Sequence, residues 1–517
     1  MQNNLGLILA KRAFLNPDRE AYVDSHRDLR LTFAELNRRS NRVANALLDA
    51  GIEPGERVGL LLMNSAEFME AYFALAKVGA VVVPLNWRLV PDELAFILKD
   101  SGTRRLIYGA EFVDAVADLH ARGDATDVCQ WLQAPGAAGG EEVPYFAASY
   151  EGFRDAGSDG EPQPRAADDD MLYIMYTSGT TGLPKGVVHT HNTAIWAILS
   201  IAATVEYQEA DRYLAALPMF HVGALTPLAV NVYRGATSVV MRAFDPTLAW
   251  QLIEREKITA GLMVPAMLNF MLQVEASKQV DYSTVRWIMT GAAPVPVALT
   301  QKYFDMGIGV LQVYGLTESC GPACVMDSEN AIRRPESTGK AFFHTDVQVV
   351  DAAGRPCASG VAGEVVVRGP HIMREYWNRP EATAETIKDG WLHTGDVAVM
   401  DADGFVAIQD RIKDMIISGG ENVYPAEVEN VLMSHPQIVE AAVIGLPSEK
   451  WGESPLAIIV RRDESLTVPE VLDFCVGKLA GFKRPQAVEF VDEIPRNPSG
   501  KILKRVLREQ FPGPAAV

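Results

Sequence analysis

Tyr176-Thr177-Ser178-Gly179-Thr180-Thr181-Gly182-Leu183-Pro184-Lys185-Gly186 is the stretch on which the reading of this chain turns. An apolar run at 171–175, after three aspartates, leads into it and reads as a buried strand. Small hydroxylated residues and glycines follow, then one lysine, then a second apolar pair, Val187-Val188. Glycines let backbone N–H groups turn toward a ligand with no side chain in the way. The Thr and Ser hydroxyls add donors and Lys185 adds positive charge, a set suited to a polyphosphate. The nearest rival is the Walker loop, G-x-x-x-x-G-K-[ST] opening a helix. Here Lys185 precedes Gly186 rather than Ser or Thr, and a β-like pair replaces the helix, so a P-loop kinase is excluded. Taken alone, the stretch leaves a plain Gly/Thr-rich surface turn open.

The 517 residues exceed what one core usually holds, so two or three domains are expected. Apolar residues make up 48% and charged residues 22%, as in an ordinary soluble enzyme. A net charge of −19 argues against nonspecific nucleic-acid binding. It does not exclude an anionic ligand, because screening over roughly 8 Å insulates a local basic site from distant acidic surface. Cys129, Cys320, Cys324, Cys357 and Cys475 are scattered and lack metal-ligand spacing, which fits a reducing compartment. Residues 1–15 lack the order of a signal peptide, and the longest apolar run, near 194–205, is too short to span a bilayer. A cytoplasmic protein without an integral membrane segment is expected, and a homodimer is left open.

Over the first 130 or so residues helical and strand patterns alternate. Thr32 with Glu35 makes a capping box before a helix ending near Ala50, 58–63 reads as a buried strand, 66–78 as a helix and 79–85 as another strand. Such alternation predicts parallel sheet covered by helices. Residues 133–170 shift to Gly, Ala, Pro and acids and read as a surface connection, and 192–205 as an apolar helix.

The eleven quoted residues resemble the phosphate loop of the adenylate-forming superfamily, which includes acyl-CoA synthetases, peptide-synthetase adenylation domains and firefly luciferase. Further stretches match that family in order. In Pro218-Met219-Phe220-His221 the resemblance gives His221 a role in orienting the substrate carboxylate or gating its path, without proton transfer. Thr290-Gly291-Ala292-Ala293 would form the wall against which adenine lies. In Tyr314-Gly315-Leu316-Thr317-Glu318 a tyrosine offers a flat face for a purine, a threonine can donate to phosphate and a carboxylate can hold Mg²⁺. The resemblance accordingly puts Tyr314 on adenine, Thr317 on the α-phosphate and Glu318 on the metal. It makes Asp396 of Thr394-Gly395-Asp396 the ribose ligand and Arg411 its second contact. The family pattern usually has glycine before that arginine, and this chain has Asp410, as luciferases do. Lys413 falls at the family's hinge. Gly419, Gly420, Glu421 and Trp451 match positions that serve the thioester step, and Lys501 in Pro495-Arg496-Asn497-Pro498-Ser499-Gly500-Lys501 matches the catalytic lysine.

The resemblance implies a large α/β N-terminal domain at 1–410, with layered subdomains and a small β-barrel-like part, a hinge at 411–413, and a small mobile α+β domain at 414–517. It implies an AMP-forming acid–CoA ligase using ATP, Mg²⁺ and coenzyme A. Nucleotide contacts would come from Thr177, Ser178, Gly179, Thr180, Thr181, Gly182, Lys185, Gly291, Ala292, Ala293, Tyr314, Gly315, Thr317, Asp396 and Arg411, and catalysis from Lys501, Thr177, Lys185, His221 and Glu318. The acyl pocket would be lined by His221, Val222, Gly223, Leu262, Thr290, Val313, Gly315 and Cys320. Those residues are mostly apolar with no obvious cation, so a second carboxylate would be buried unpaired at high cost. Medium or long fatty acids and aryl or arylpropenoic acids remain as substrates. An enzyme loading a carrier protein, a luciferase-like oxygenase and a non-catalytic acyl-adenylate or nucleotide sensor are the competing readings.

Overall fold

The computed structural model describes residues 3–177, 184–293, 295–411, 413–418, 421–448, 451–496 and 502–512. Within these the chain forms four sheets, two of them large and flanked by helices. In the first large sheet the strands Arg57–Leu61, Val81–Pro84, Arg105–Gly109, Gln130–Ala134 and Met171–Thr177 run parallel, and Lys185–Thr190 is added antiparallel. In the second, Glu20–Asp24, Arg212–Ala215, Thr237–Val240, Ala260–Met263, Trp287–Gly291 and Gly309–Tyr314 run parallel. Strands such as Val81–Pro84 and Trp287–Gly291 are buried throughout, the pattern of parallel sheet covered on both faces.

Local signals explain the helices between the sheets. Thr32 accepts from the Glu35 N–H at 3.2 Å and the Glu35 carboxylate accepts from the Thr32 N–H at 2.8 Å, closing the capping box before Phe33–Asp49. Ala66–Val78 is bounded by the Ser65 cap and by Gly79 at a φ of 78°. Every residue of that helix is buried, charged ones included. Lys77 reaches Asn37 and Asn41 at 2.6 Å each and Glu161 at 2.8 Å, which repays part of its desolvation. Residues 133–170 differ from the expected surface connection: the helix Tyr150–Ala156 lies within them, and its buried Tyr150 donates to the Glu70 carboxylate at 3.3 Å. A stretch poor in apolar residues hides one tyrosine anchor.

The part expected to be barrel-like is a five-stranded antiparallel sheet that includes Ala362–Arg368, Trp391–Met400 and Val406–Arg411. A fourth sheet, formed within 416–490, packs with the helices Pro425–Met433 and Val468–Phe474 around apolar clusters drawn only from residues 416–511. Among the described residues no helix is long and apolar enough to cross a membrane.

Candidate active site

The site forms where the carboxyl ends of the second sheet's strands meet the hairpin of the first and the edge of the third. In the hairpin, Thr177 pairs with Lys185 across an antiparallel ladder. Ser178, Gly179, Thr180, Thr181 and Gly182, which follow Thr177 in sequence, lie outside the described residues, as do Gly419, Gly420 and Lys501. Trp287–Gly291 delivers Thr290 and Gly291, and Gly309–Tyr314 delivers Val313 and Tyr314. A Cβ at Gly291 would overlap the Val313 carbonyl oxygen, and one at Gly315 would overlap that of Gly321. Both glycines are required by close backbone approach. Ala292, with a φ of 67°, turns the chain away from the strand end.

The third sheet sets Asp396 directly opposite Arg411 in its ladder. Asp396 is 4% exposed, and its two carboxylate oxygens are both engaged. Oδ1 lies 2.7 Å from Arg411 Nε, and Oδ2 accepts from the Tyr314 hydroxyl at 2.6 Å. Burial and the Asp396 charge raise the Tyr314 hydroxyl well above its usual pKa, so it remains a donor. Arg411 faces Glu318 as well as Asp396, and these charges hold its pKa up against burial. Tyr314, Asp396, Arg411 and Glu318 therefore share one electrostatic neighbourhood.

Glu318 sits in a single turn, Thr317–Ser319, ended by Cys320 at a φ of 56°. Three residues that the sequence reading passed over hold this turn. The Tyr376 hydroxyl donates to Glu318 Oε1 at 2.7 Å. His189 Nε2 lies 2.7 Å from the Thr317 carbonyl and His371 Nδ1 2.9 Å from that of Ser319. A carbonyl can only accept, so both histidines donate there. Burial lowers each from 6.5 to about 4, which keeps them neutral. Their signal in the sequence was weak: His189 interrupts an apolar strand, and Tyr376 is one aromatic of the pair Tyr376-Trp377 before a Pro turn. Lys185 Nζ stands 4.9 Å from the centre of the Tyr376 ring.

His221 precedes the helix Val222–Arg234. Burial and the Arg88 charge lower its pKa to about 4. Its Nε2 is buried and finds no partner among the described residues, and the same holds for the Thr290 hydroxyl. Two such orphaned groups near a cleft are what a polar substrate end would satisfy. Val222, Leu262 and Val313 are half-buried beside them on the main core, with Gly223 at the start of the same helix. Cys320 is set deeper, 1% exposed, its thiol 3.1 Å from the Tyr173 hydroxyl and its pKa pushed up to about 11 by burial.

Lys413 is exposed, between the strands Val406–Arg411 and Ile416–Ser418. Asp410, the residue that departs from the usual glycine, accepts from the Ala426 N–H at 3.1 Å at the start of Pro425–Met433 and lies 3.7 Å from Lys504. Glu421 is exposed and Trp451 is 42% exposed.

The model for the AMP-binding enzyme family matches residues 9–377, and that for the AMP-binding enzyme C-terminal domain matches residues 427–501. The chain belongs to the AMP-binding enzyme family. Within that family it is 45% identical over 509 residues to a long-chain-fatty-acid–CoA ligase, FadD13, of Mycobacterium tuberculosis, covering 98% of each chain. It is 40% identical over 509 residues to a feruloyl-CoA synthase of Amycolatopsis, covering 98% of this chain and 99% of that one. A solved Mycobacterium tuberculosis fatty acyl CoA synthetase superposes with a TM-score of 0.79 at 44% identity, covering 98% of each chain. As an AMP-binding enzyme the chain fits adenylate-forming CoA ligases over nearly its whole length.

Proposed function

We propose that this protein is an ATP-dependent carboxylic acid–CoA ligase that works through an acyl adenylate, with an apolar acid, fatty or aryl, as substrate. The observation that carries the reading is the meeting of two polar sets in one cleft: Asp396 with Tyr314 and Arg411, and Glu318 with Tyr376 and Lys185.

Asp396 is suited to ribose because an ionised carboxylate is acceptor-only and a ribose offers two hydroxyl donors. Arg411 anchors one oxygen of that carboxylate through its Nε. Tyr314 presents its ring as a platform for adenine, and Gly315 and Gly291 let the backbone pack closely behind it. Among the described residues no cluster of three or more His, Cys, Asp or Glu could hold a metal ion. A lone Glu318 carboxylate fits Mg²⁺ that arrives with the nucleotide, since that ion is usually held by one or two carboxylates plus substrate phosphates. Bound there, it would offset phosphate charge during adenylation.

A carboxylate is a poor acyl donor because its leaving group would be oxide. In the first half-reaction its oxygen attacks the α-phosphorus, the bond to the bridging oxygen breaks, and pyrophosphate leaves. Negative charge gathers on the α-phosphate, and donors aimed there act most strongly in a dry site, at about 3 kcal/mol each. Thr177, Thr317 and Lys501 are assigned to that phosphate, and Lys185 to the β- and γ-phosphates. Neutral His221 orients the carboxylate through its otherwise unpartnered Nε2. In the second half-reaction the CoA thiol sulfur bonds to the acyl carbon, the acyl–phosphate oxygen bond breaks, and AMP departs. Residues 411–413 serve as the hinge about which 414–517 turns between these steps, exchanging Lys501 for Gly419, Gly420 and Glu421, with Trp451 beside the thiol path.

The acid is read from the half-buried Val222, Leu262 and Val313 with Gly223, four apolar residues that offer no partner to a second carboxylate. The acids named for two of the relatives, long-chain fatty acid and ferulate, agree with that reading. A pyrophosphate-release screen over straight-chain, branched, aromatic and dicarboxylic acids, with CoA or a holo-carrier protein as acceptor, tests the reading. Release with apolar monoacids and turnover on CoA are expected. Preference for a short diacid, or turnover on the carrier alone, contradicts it.

A further inference from the structure

The segment 371–379 is stitched to both sides of the cleft. On one side its short strand Glu375–Tyr376 pairs antiparallel with Lys185–Thr190, setting Tyr376 opposite Val187. The Trp377 N–H donates to the Gly186 carbonyl at 2.7 Å and the Arg374 N–H to that of Val188 at 3.0 Å. On the other side the Met373 N–H donates to the Glu318 carbonyl at 2.7 Å. At the centre Tyr376 is 7% exposed and meets both the group assigned to the metal and the one assigned to the β- and γ-phosphates: its hydroxyl holds Glu318 Oε1 at 2.7 Å, and its ring lies 4.9 Å from Lys185 Nζ.

Both of these side chains have freedom to wander. A glutamate's terminal torsion is broad, and a lysine ammonium swings on a flexible four-carbon stem. We propose that Tyr376 is a positioning residue for the nucleotide-bound metal, its hydroxyl fixing the Glu318 carboxylate while its ring face seats the Lys185 ammonium. The hydroxyl occupies one oxygen of the carboxylate and leaves Oε2 for the ion. The ring gives the ammonium a seat other than the carboxylate itself, so a collapsed Lys–Glu pair need not be broken when ATP enters. Cation–π attraction of this kind is weak enough to yield to a phosphate. The inference rests on the assignment of Glu318 and Lys185 made above.

The test uses the full-length enzyme with ATP and MgCl₂, reading nucleotide binding by calorimetry across magnesium concentrations and each half-reaction separately. For Tyr376→Phe, the magnesium midpoint for ATP binding should rise about tenfold, the effect of losing a hydrogen bond to a charged group. Its magnesium-free ATP binding, its melting temperature and thioester formation from supplied acyl adenylate should match wild type. Tyr376→Leu should in addition weaken magnesium-free binding. A wild-type magnesium midpoint in Tyr376→Phe overturns the proposal, as does parallel loss of both half-reactions with a lowered melting temperature. Glu318→Gln separates the two levels. If it shifts the midpoint and Tyr376→Phe does not, Tyr376 alone is misassigned. If it leaves the midpoint unchanged, the assignment of Glu318 fails and this inference falls with it.

Discussion

The site proposed for the nucleotide's ribose rests, at Asp396, on a few atoms of ordinary sheet. Asp396 is nearly buried, and both its oxygens are already bonded before any ligand arrives. Hydrogen bonds to charged groups are worth about 1.5–3 kcal/mol. Asp396→Asn should therefore raise the KM for ATP roughly tenfold to a hundredfold, with a smaller change in the KM for the acid; equal changes in both would contradict a ribose contact. His191 supplies a different kind of prediction. Its Nδ1 accepts from the Leu5 N–H at 3.1 Å, its buried Nε2 has no partner among the described residues, and burial lowers its pKa from 6.5 to about 4 despite Asp168 and Asp170 nearby. Protonation would place a hydrogen on Nδ1, facing another donor. The folded state thus binds fewer protons than the unfolded chain in this window, so the contribution is full above 6.5 and is lost as pH falls toward 4. His191→Asn keeps an acceptor in place and removes the titration. Urea unfolding at a series of pH values should show the acid limb shallower by about 1.4 kcal/mol per pH unit; an unchanged slope would contradict this account of His191.

At the scale of elements, the turns after Trp287–Gly291 and Gly309–Tyr314 decide whether the cleft is open. Gly315 has no room for a Cβ against the Gly321 carbonyl, whereas a Cβ at Gly223 meets only Leu217 Cδ1 at 3.5 Å, an ordinary contact. Gly315→Ala should displace the Tyr314 turn and cut kcat/KM for pyrophosphate release about a hundredfold, the cost of a misplacement near 1 Å. Gly223→Ala should keep the wild-type KM for ATP. Similar kinetics in the two variants would contradict the close-approach argument. The capping box at Thr32, the fully apolar strands and the Gly-bounded helix Ala66–Val78 were legible because their causes are local. Tyr376, His189 and His371 were not, because each acts on Thr317–Ser319 across a long sequence separation and nothing in the neighbouring residues announces it. The helix Tyr150–Ala156 was missed for the same reason, since Tyr150 earns its burial from Glu67 and Glu70 on another helix. The residues assigned to the cleft itself were proposed from a resemblance to a family, not from periodicity.

For the whole molecule, the apolar clusters of 416–511 draw on no residue before 416, while Asp410 at the end of the third sheet reaches Ala426 and Lys504. A self-contained core that begins a few residues after the exposed Lys413 is what hinged rotation needs. Lys413→Pro should leave acid-dependent pyrophosphate release near wild type and depress thioester formation on the order of tenfold or more; equal loss of both would count against the hinge. The central claim is that a carboxylate attacks the α-phosphorus, and oxygen transfer tests it most directly. With an acid from the screen labelled by heavy oxygen in both carboxyl positions, mass spectrometry of the nucleotide released during acyl-CoA synthesis should find one labelled oxygen in AMP. Unlabelled AMP, or label appearing in inorganic phosphate beside ADP, would contradict the account.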